Sequence, residues 1–236
     1  MFERQRGMAS APGSERTGRE LEQLLSVKLA SSQTVTSNAW ERECALQRLQ
    51  VPKKLLPKSC SLTTNWVAIT GTSCAGKTTL INHVSSMGFA VEEEGARKYV
   101  EGVLAEGNTI EDIRERDYEF RNQVFLLNRE RELHRLSQAY ELTFLDRTVI
   151  DSISAHRASG YDPHDILNRL EPYRYRAVFI CTLLPFVDDG FRTRNEARRH
   201  FLDAALERDY RALGYEPIRI PYLSVAERAD FMLEHL

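Results

Sequence analysis

Gly71-Thr72-Ser73-Cys74-Ala75-Gly76-Lys77-Thr78 fits G-x-x-x-x-G-K-S/T without exception. Its flanks suit the pattern: the apolar run Trp66–Thr70 leads in as a strand, and Thr79-Leu80-Ile81 leads out as a helix. Such a turn gathers backbone N–H groups at a helix N-terminus, where they face anionic oxygens. Gly71 and Gly76 permit backbone angles and a close approach that a side chain would obstruct. Gly71, Thr72, Ser73, Cys74, Ala75, Gly76, Lys77, Thr78 and Thr79 are the expected nucleotide-binding residues, with Lys77 against the β- and γ-phosphates and the Thr78 hydroxyl on Mg2+.

Outward from this loop, short apolar runs alternate with longer helical patterns, the signature of βαβ units around a parallel sheet. The pattern predicts strands at Trp66–Thr70, Phe89–Glu92, Leu142–Asp146, Ala177–Leu183 and Pro217–Pro221. Helices are expected over Lys77–Met87, Ala96–Glu106, Ile110–Gln138, Val149–Ser159, Glu196–Leu213 and Val225–Glu234. In the third of these, Ile110, Ile113, Phe120, Val124 and Leu127 share one face and read as core. The fold class is α/β: a three-layer P-loop NTPase or kinase fold with a mainly parallel five-stranded sheet over residues 61–236, plus an N-terminal extension.

Asp146 ends a strand at the position where a P-loop protein places a metal-facing acid, so Thr78 and Asp146 are the expected Mg2+ residues. Arg147 is placed to grip a substrate group, or to pair with Asp146 or Asp151. Glu92-Glu93-Glu94 close the second strand, where a carboxylate can accept a proton from an acceptor hydroxyl. Glu93, Glu94, Arg97, Arg147 and Arg194 are the candidate substrate-binding residues. The polar stretch from Phe186 to Arg194, with Gly190 as hinge, reads as a lid whose Arg192 neutralises charge during phosphoryl transfer. Lys77, Asp146 and Arg192 are thus the catalytic candidates, whereas Arg198 and Arg199 read as the solvated face of the next helix.

The remaining composition narrows the class. Lys plus Arg total 32 against 34 Asp plus Glu, a net charge of -2, so no nucleic-acid partner is expected. The balance is uneven: residues 1–60 hold 10 basic and 6 acidic residues, which leaves 22 basic and 28 acidic for the rest. Residues 1–60, with Ser/Gly/Ala/Pro-rich and Pro/Lys-rich stretches, read as a polar, partly helical or disordered extension, either a simple appendage or an arm for a protein partner or membrane surface. Cys44, Cys60, Cys74 and Cys181 are scattered without a C-x-x-C pair, which reads as reduced thiols. The longest apolar stretch, Ala177 to Val187, is too short to span a bilayer, and Phe2 to Glu20 lacks a secretory apolar region. A cytoplasmic location is expected.

Together the phosphate loop, the strand-end acids followed by Gly95-Ala96-Arg97-Lys98-Tyr99, Leu145-Asp146-Arg147, Asp189-Gly190-Phe191-Arg192, and the closing segments Leu213-Gly214-Tyr215-Glu216 and Pro221 to Arg228 resemble the AAA_28 family. This is the ATP-binding P-loop domain of NadR-type kinases and the TRPL translocation defect protein, and the resemblance runs from about Trp66 to Leu236. It implies a nucleoside- or nucleotide-kinase-like fold using ATP, or GTP, with Mg2+. Arg194 departs from it, standing in the lid where the family has an acid. The expected activity is phosphoryl transfer from ATP to a small-molecule acceptor. The alternative is an ATPase- or GTPase-type regulatory or interaction module, although no N-K-x-D motif supports a Ras-like guanine site.

Overall fold

The computed structural model describes residues 62–184 and 196–236. The extension over residues 1–60 and the lid candidates Arg192 and Arg194 lie outside the described residues. Five parallel strands make the central sheet: β2 (Trp66–Thr70), β3 (Ala90–Glu92), β4 (Thr143–Asp146), β6 (Ala177–Cys181) and β7 (Ile218–Ile220), in the order β3-β4-β2-β6-β7. A separate short parallel pair, β1 (Leu62–Thr63) with β5 (Tyr173–Arg174), was not evident in the sequence because two-residue strands carry no periodicity. The predicted strands differ mainly at their ends: β6 stops at Cys181 rather than Leu183, and β7 spans three residues.

Helices cover both faces, as a parallel sheet requires. On one face α1 (Lys77–Ser86) and α8 (Val225–Glu234) bury Leu80, Ile81, Val84, Ala229 and Met232 against Val67, Ile69, Phe144 and Phe179. The opposite face carries α4 (Asp117–His134), α5 (Asp151–Arg157) and α7 (Glu196–Ala212), which meet Trp66, Ala68, Leu145 and Val178 through Phe125, Ile153, Leu206 and Tyr210. Three further helices, α2 (Gly95–Ala105), α3 (Ile110–Glu115) and α6 (His164–Asn168), complete the described helices together with a 3-10 turn at Arg135–Gln138. Every residue of β2 is buried, which explains its unbroken apolar run.

Two expectations are corrected. The single helix over Ile110–Gln138 is three elements: Arg116, at φ -103° and ψ 39°, ends α3 and leads into α4, and the 3-10 turn follows His134. The stripe Ile110, Ile113, Phe120, Val124 and Leu127 is half-buried, not core, because Phe120 and Leu127 face α2, where Phe120 meets Tyr99 at 5.8 Å between ring centres. The face of α4 that enters the core carries Phe125 with two polar residues, Asn128 and Glu132. The second correction concerns α7. Arg199 is buried and donates to the Leu184 carbonyl at 2.8 Å, while half-buried Arg198 donates to the Ala158 carbonyl and to Ser159 Oγ. Both anchor the helix instead of facing water.

Candidate functional site

The chain passes from the central strand β2 first to β4 and β3 on one side and later to β6 and β7 on the other, so strand order reverses at β2. Ligands of open α/β sheets lie at the carboxyl ends of strands at such a point. The 71–78 loop leaves β2 there. Gly71, at φ +140°, sits so close to β6 that a Cβ would stand 3.0 Å from the Cys181 carbonyl oxygen. Gly76, at φ +72°, is the N-cap of α1 and offers no side chain to the helix end. The first helix-type bond runs from the Leu80 N–H to the Gly76 carbonyl. The N–H groups of Lys77, Thr78 and Thr79 make no backbone hydrogen bond among the described residues, and with the helix dipole they form an anion-attracting end.

Charge is gathered around this end. Lys77 is 7% exposed, and its Nζ donates to the Thr72 carbonyl at 2.6 Å. Burial, reinforced by the Arg147 charge, lowers its pKa to about 8 despite Glu94 and Asp146. Asp146 is buried at the end of β4, where parallel pairing sets it beside Ile69. Burial and the Glu94 charge raise its pKa, with Lys77 and Arg147 opposing. Its Oδ1 is buried and has no hydrogen-bond partner. An oxygen in that condition suits a hydrated divalent cation.

Arg147 follows at φ +61°, a strained conformation for a side-chain-bearing residue. It pairs with Glu94 at 2.7 Å. Burial works against its charge, but Glu94, Asp151 and Asp146 outweigh that and raise its pKa. Of the two pairings anticipated for Arg147, Asp151 lies within its field but the ion pair is made with Glu94. Glu93 is exposed, with its carbonyl accepting from Arg131 Nη1 at 2.5 Å, and Arg97 is exposed on α2. The structure therefore brings Lys77, Asp146, Glu94 and Arg147 together.

Sequence reasoning missed the groups that hold the cluster. Arg131 also donates to the carbonyls of Asp146 at 3.2 Å and Arg147 at 2.6 Å, tying the ends of β3 and β4. Asp151 is buried, accepts from the Thr148 N–H at 2.6 Å and from the Thr70 hydroxyl, and so joins the residue before the loop to the turn after Arg147. Behind them Glu132 accepts from the Tyr173 and Tyr175 hydroxyls at 2.6 and 2.7 Å and from the Val149 N–H. Apart from the Thr148 N–H three residues before Asp151, each partner is remote in sequence, so these roles carry no local signal. A cavity of about 760 Å³ opens beside the cluster between α2 and α4, lined by Glu93, Gly95, Tyr99, Leu127, Arg131 and His134 among others, and by no residue of the 71–78 loop.

A family model described as an AAA domain matches residues 66–228, which include every strand of the central sheet. The chain belongs to this AAA domain family. Comparison with curated protein sequences gives no match. Among solved structures, deoxyadenosine kinase from M. mycoides with the products dCMP and dCDP is 15% identical, with a TM-score of 0.54 over 72% of this chain and 97% of that one. The same kinase with bound dATP gives a TM-score of 0.52. The NadR protein in complex with NR is 23% identical, with a TM-score of 0.48 over 72% of this chain and 50% of that one. The fold of this AAA domain family member is thus a P-loop kinase-like α/β fold. Among its described residues no helix is long and apolar enough to cross a membrane.

Proposed function

We propose that the protein is a magnesium-dependent phosphotransferase that moves the γ-phosphoryl group of ATP to a hydroxyl or phosphate of a small metabolite. The observation that carries this reading is the Glu94–Arg147 ion pair, whose charges both act on Lys77 and Asp146. A protein that only holds or hydrolyses a nucleotide has no need of a carboxylate and a guanidinium held just beyond the metal-facing acid. Similarity in fold to a deoxyadenosine kinase supports it.

In this reading the N–H groups at the start of α1 and the Lys77 ammonium hold the β- and γ-phosphates. Thr78 and Asp146 would hold a divalent cation, directly or through water, and magnesium bound there would supply neutralisation of the phosphate charge. The acceptor enters from the side of the 760 Å³ cavity. Its hydroxyl gives a proton to Glu94, the freed oxygen bonds to the γ-phosphorus, and the bond to the β-phosphate oxygen breaks to release ADP. Arg147 steers the acceptor and shields the transferring group. Arg192 and Arg194 would close over the phosphates from the segment after β6. GTP is the alternative donor.

The test is a screen of nucleosides, nucleotides and other small hydroxylated metabolites with γ-labelled ATP and magnesium. Transfer to at least one acceptor is expected, with Glu94→Gln reducing it at least about 100-fold through loss of the base. Hydrolysis or tight binding without transfer to any of them would move the protein to the class of nucleotide-dependent regulatory modules.

A further inference from the structure

The last helix reaches the phosphate loop through one side chain. Arg228, in the first turn of α8, is 4% exposed, and its Nη2 donates to the Ala75 carbonyl at 3.0 Å, across 153 residues of chain. Its Nη1 lies 2.7 Å from where a Cβ on Gly76 would stand, so the guanidinium fills the space beneath the Ala75–Gly76 peptide. It also lies against Cys181, the β6 residue on which Gly71 rests. No carboxylate pairs with Arg228 among the described residues, and its Nε is buried without a hydrogen-bond partner. A buried guanidinium is costly when no carboxylate compensates it. Its oxygen partner among the described residues is the Ala75 carbonyl, which carries a partial negative charge.

That contact fixes a direction. The chain has no cis peptide among the described residues, and in a trans peptide the C=O and the following N–H point opposite ways. With the Ala75 oxygen turned down to Arg228, the Gly76 N–H is turned up, into the hollow that the N–H groups of Lys77 and Thr78 also face. A flipped Ala75–Gly76 peptide would present a carbonyl oxygen there and repel an anion. Gly76 is free to flip as far as its own sterics go, because it has no side chain. The restraint comes from α8.

We infer that Arg228 is a positioning residue of the phosphate loop: by binding the Ala75 carbonyl it aims the Gly76 N–H at the bound triphosphate. The inference rests on the nucleotide-binding part of the proposed function. Ala75-Gly76 is the sole Ala-Gly pair in the sequence, so carbonyl-13C alanine combined with 15N glycine isolates the Gly76 amide in the spectrum of the full chain. Saturation of the wild-type protein with Mg-ATP, followed in parallel by calorimetry, is expected to move that amide proton downfield. Arg228→Met is expected to raise the Mg-ATP Kd at least tenfold and to shift the Gly76 signal even before nucleotide is added. Met232→Ala, a fully buried change on the same helix, is expected to lower the melting temperature and leave the Kd within twofold.

Mg-ATP binding to the wild type with an unmoved Gly76 signal would overturn the inference, whether or not Arg228→Met folds. So would a folded Arg228→Met of unchanged affinity, or an equal loss in Met232→Ala, which would show general packing at work. If calorimetry detects no Mg-ATP binding to the wild type, the nucleotide reading itself falls and this inference with it.

Discussion

Lys77 is the residue whose chemistry is most sharply defined. A free-state pKa of about 8, caused first by burial and then by Arg147, means that the unliganded ammonium is lost above that pH, whereas bound phosphate favours the charged form. Nucleotide binding above pH 8 is therefore coupled to uptake of one proton. We predict that affinity falls about tenfold per pH unit through the range just above 8, and that calorimetry in buffers of different ionisation enthalpy records close to one proton taken up at pH 9. Lys77→Met removes that proton and weakens binding at neutral pH by at least about tenfold, through loss of a charge-assisted contact. For folding the sign is the opposite: the depressed pKa contributes stability above the unfolded value near 10.5 and loses it as pH falls toward 8. Two other site residues, Cys74 at φ +59° and Arg147 at φ +61°, hold conformations that side chains resist, a cost tolerated where geometry must be fixed in advance.

At the scale of elements, the loop and its two flanking elements were legible because a motif, a buried apolar strand and a helix start coincide within about 15 residues. The ends of β3 and β4 were legible for the same reason, as each places an acid after an apolar run. The internal break at Arg116 was not, since apolar spacing runs through it while only the Thr109 and Asp112 capping box marks the start of α3. Nor was the core face of α4, where Glu132 and Asn128 stand in place of apolar residues. Burial alone raises the pKa of Glu132, and two tyrosines and an amide satisfy its oxygens. The contact of α5 with α7 yields a prediction of the same kind. Buried Arg157 meets buried Asp209 at 3.4 Å, with Ser154 Oγ donating to the same carboxylate. Asp209→Ala leaves that guanidinium uncompensated and should destabilise the protein by about 3 kcal/mol, roughly 6–12 °C in melting temperature. Arg157→Met with Asp209→Leu should recover most of the loss; a double variant as unstable as the single one would show that packing, and not charge, sets the effect.

For the whole molecule, the proposed division places the nucleotide machinery after residue 60, since the sheet, the loop and every clustered side chain lie at or beyond Leu62. Removal of residues 1–60 is predicted to leave the Mg-ATP Kd within threefold of the full chain, measured by calorimetry; an insoluble or non-binding product would show that this segment completes the core. The order β3-β4-β2-β6-β7 gives each side of the sheet a separate duty: the β3-β4 side supplies Glu94, Asp146 and Arg147, and the β6-β7 side supplies the wall under Gly71 and the helix bearing Arg228. Any enzyme of the proposed kind meets water far more often than its proper guest, and squandered triphosphate is the standing hazard. In the proposed reaction Glu94, clasped by Arg147, would be a proton acceptor kept under latch, released only when an arriving molecule competes for the guanidinium with polar groups of its own. Fidelity at the idle stage would then come from an internal embrace that a lone water molecule is too small to undo.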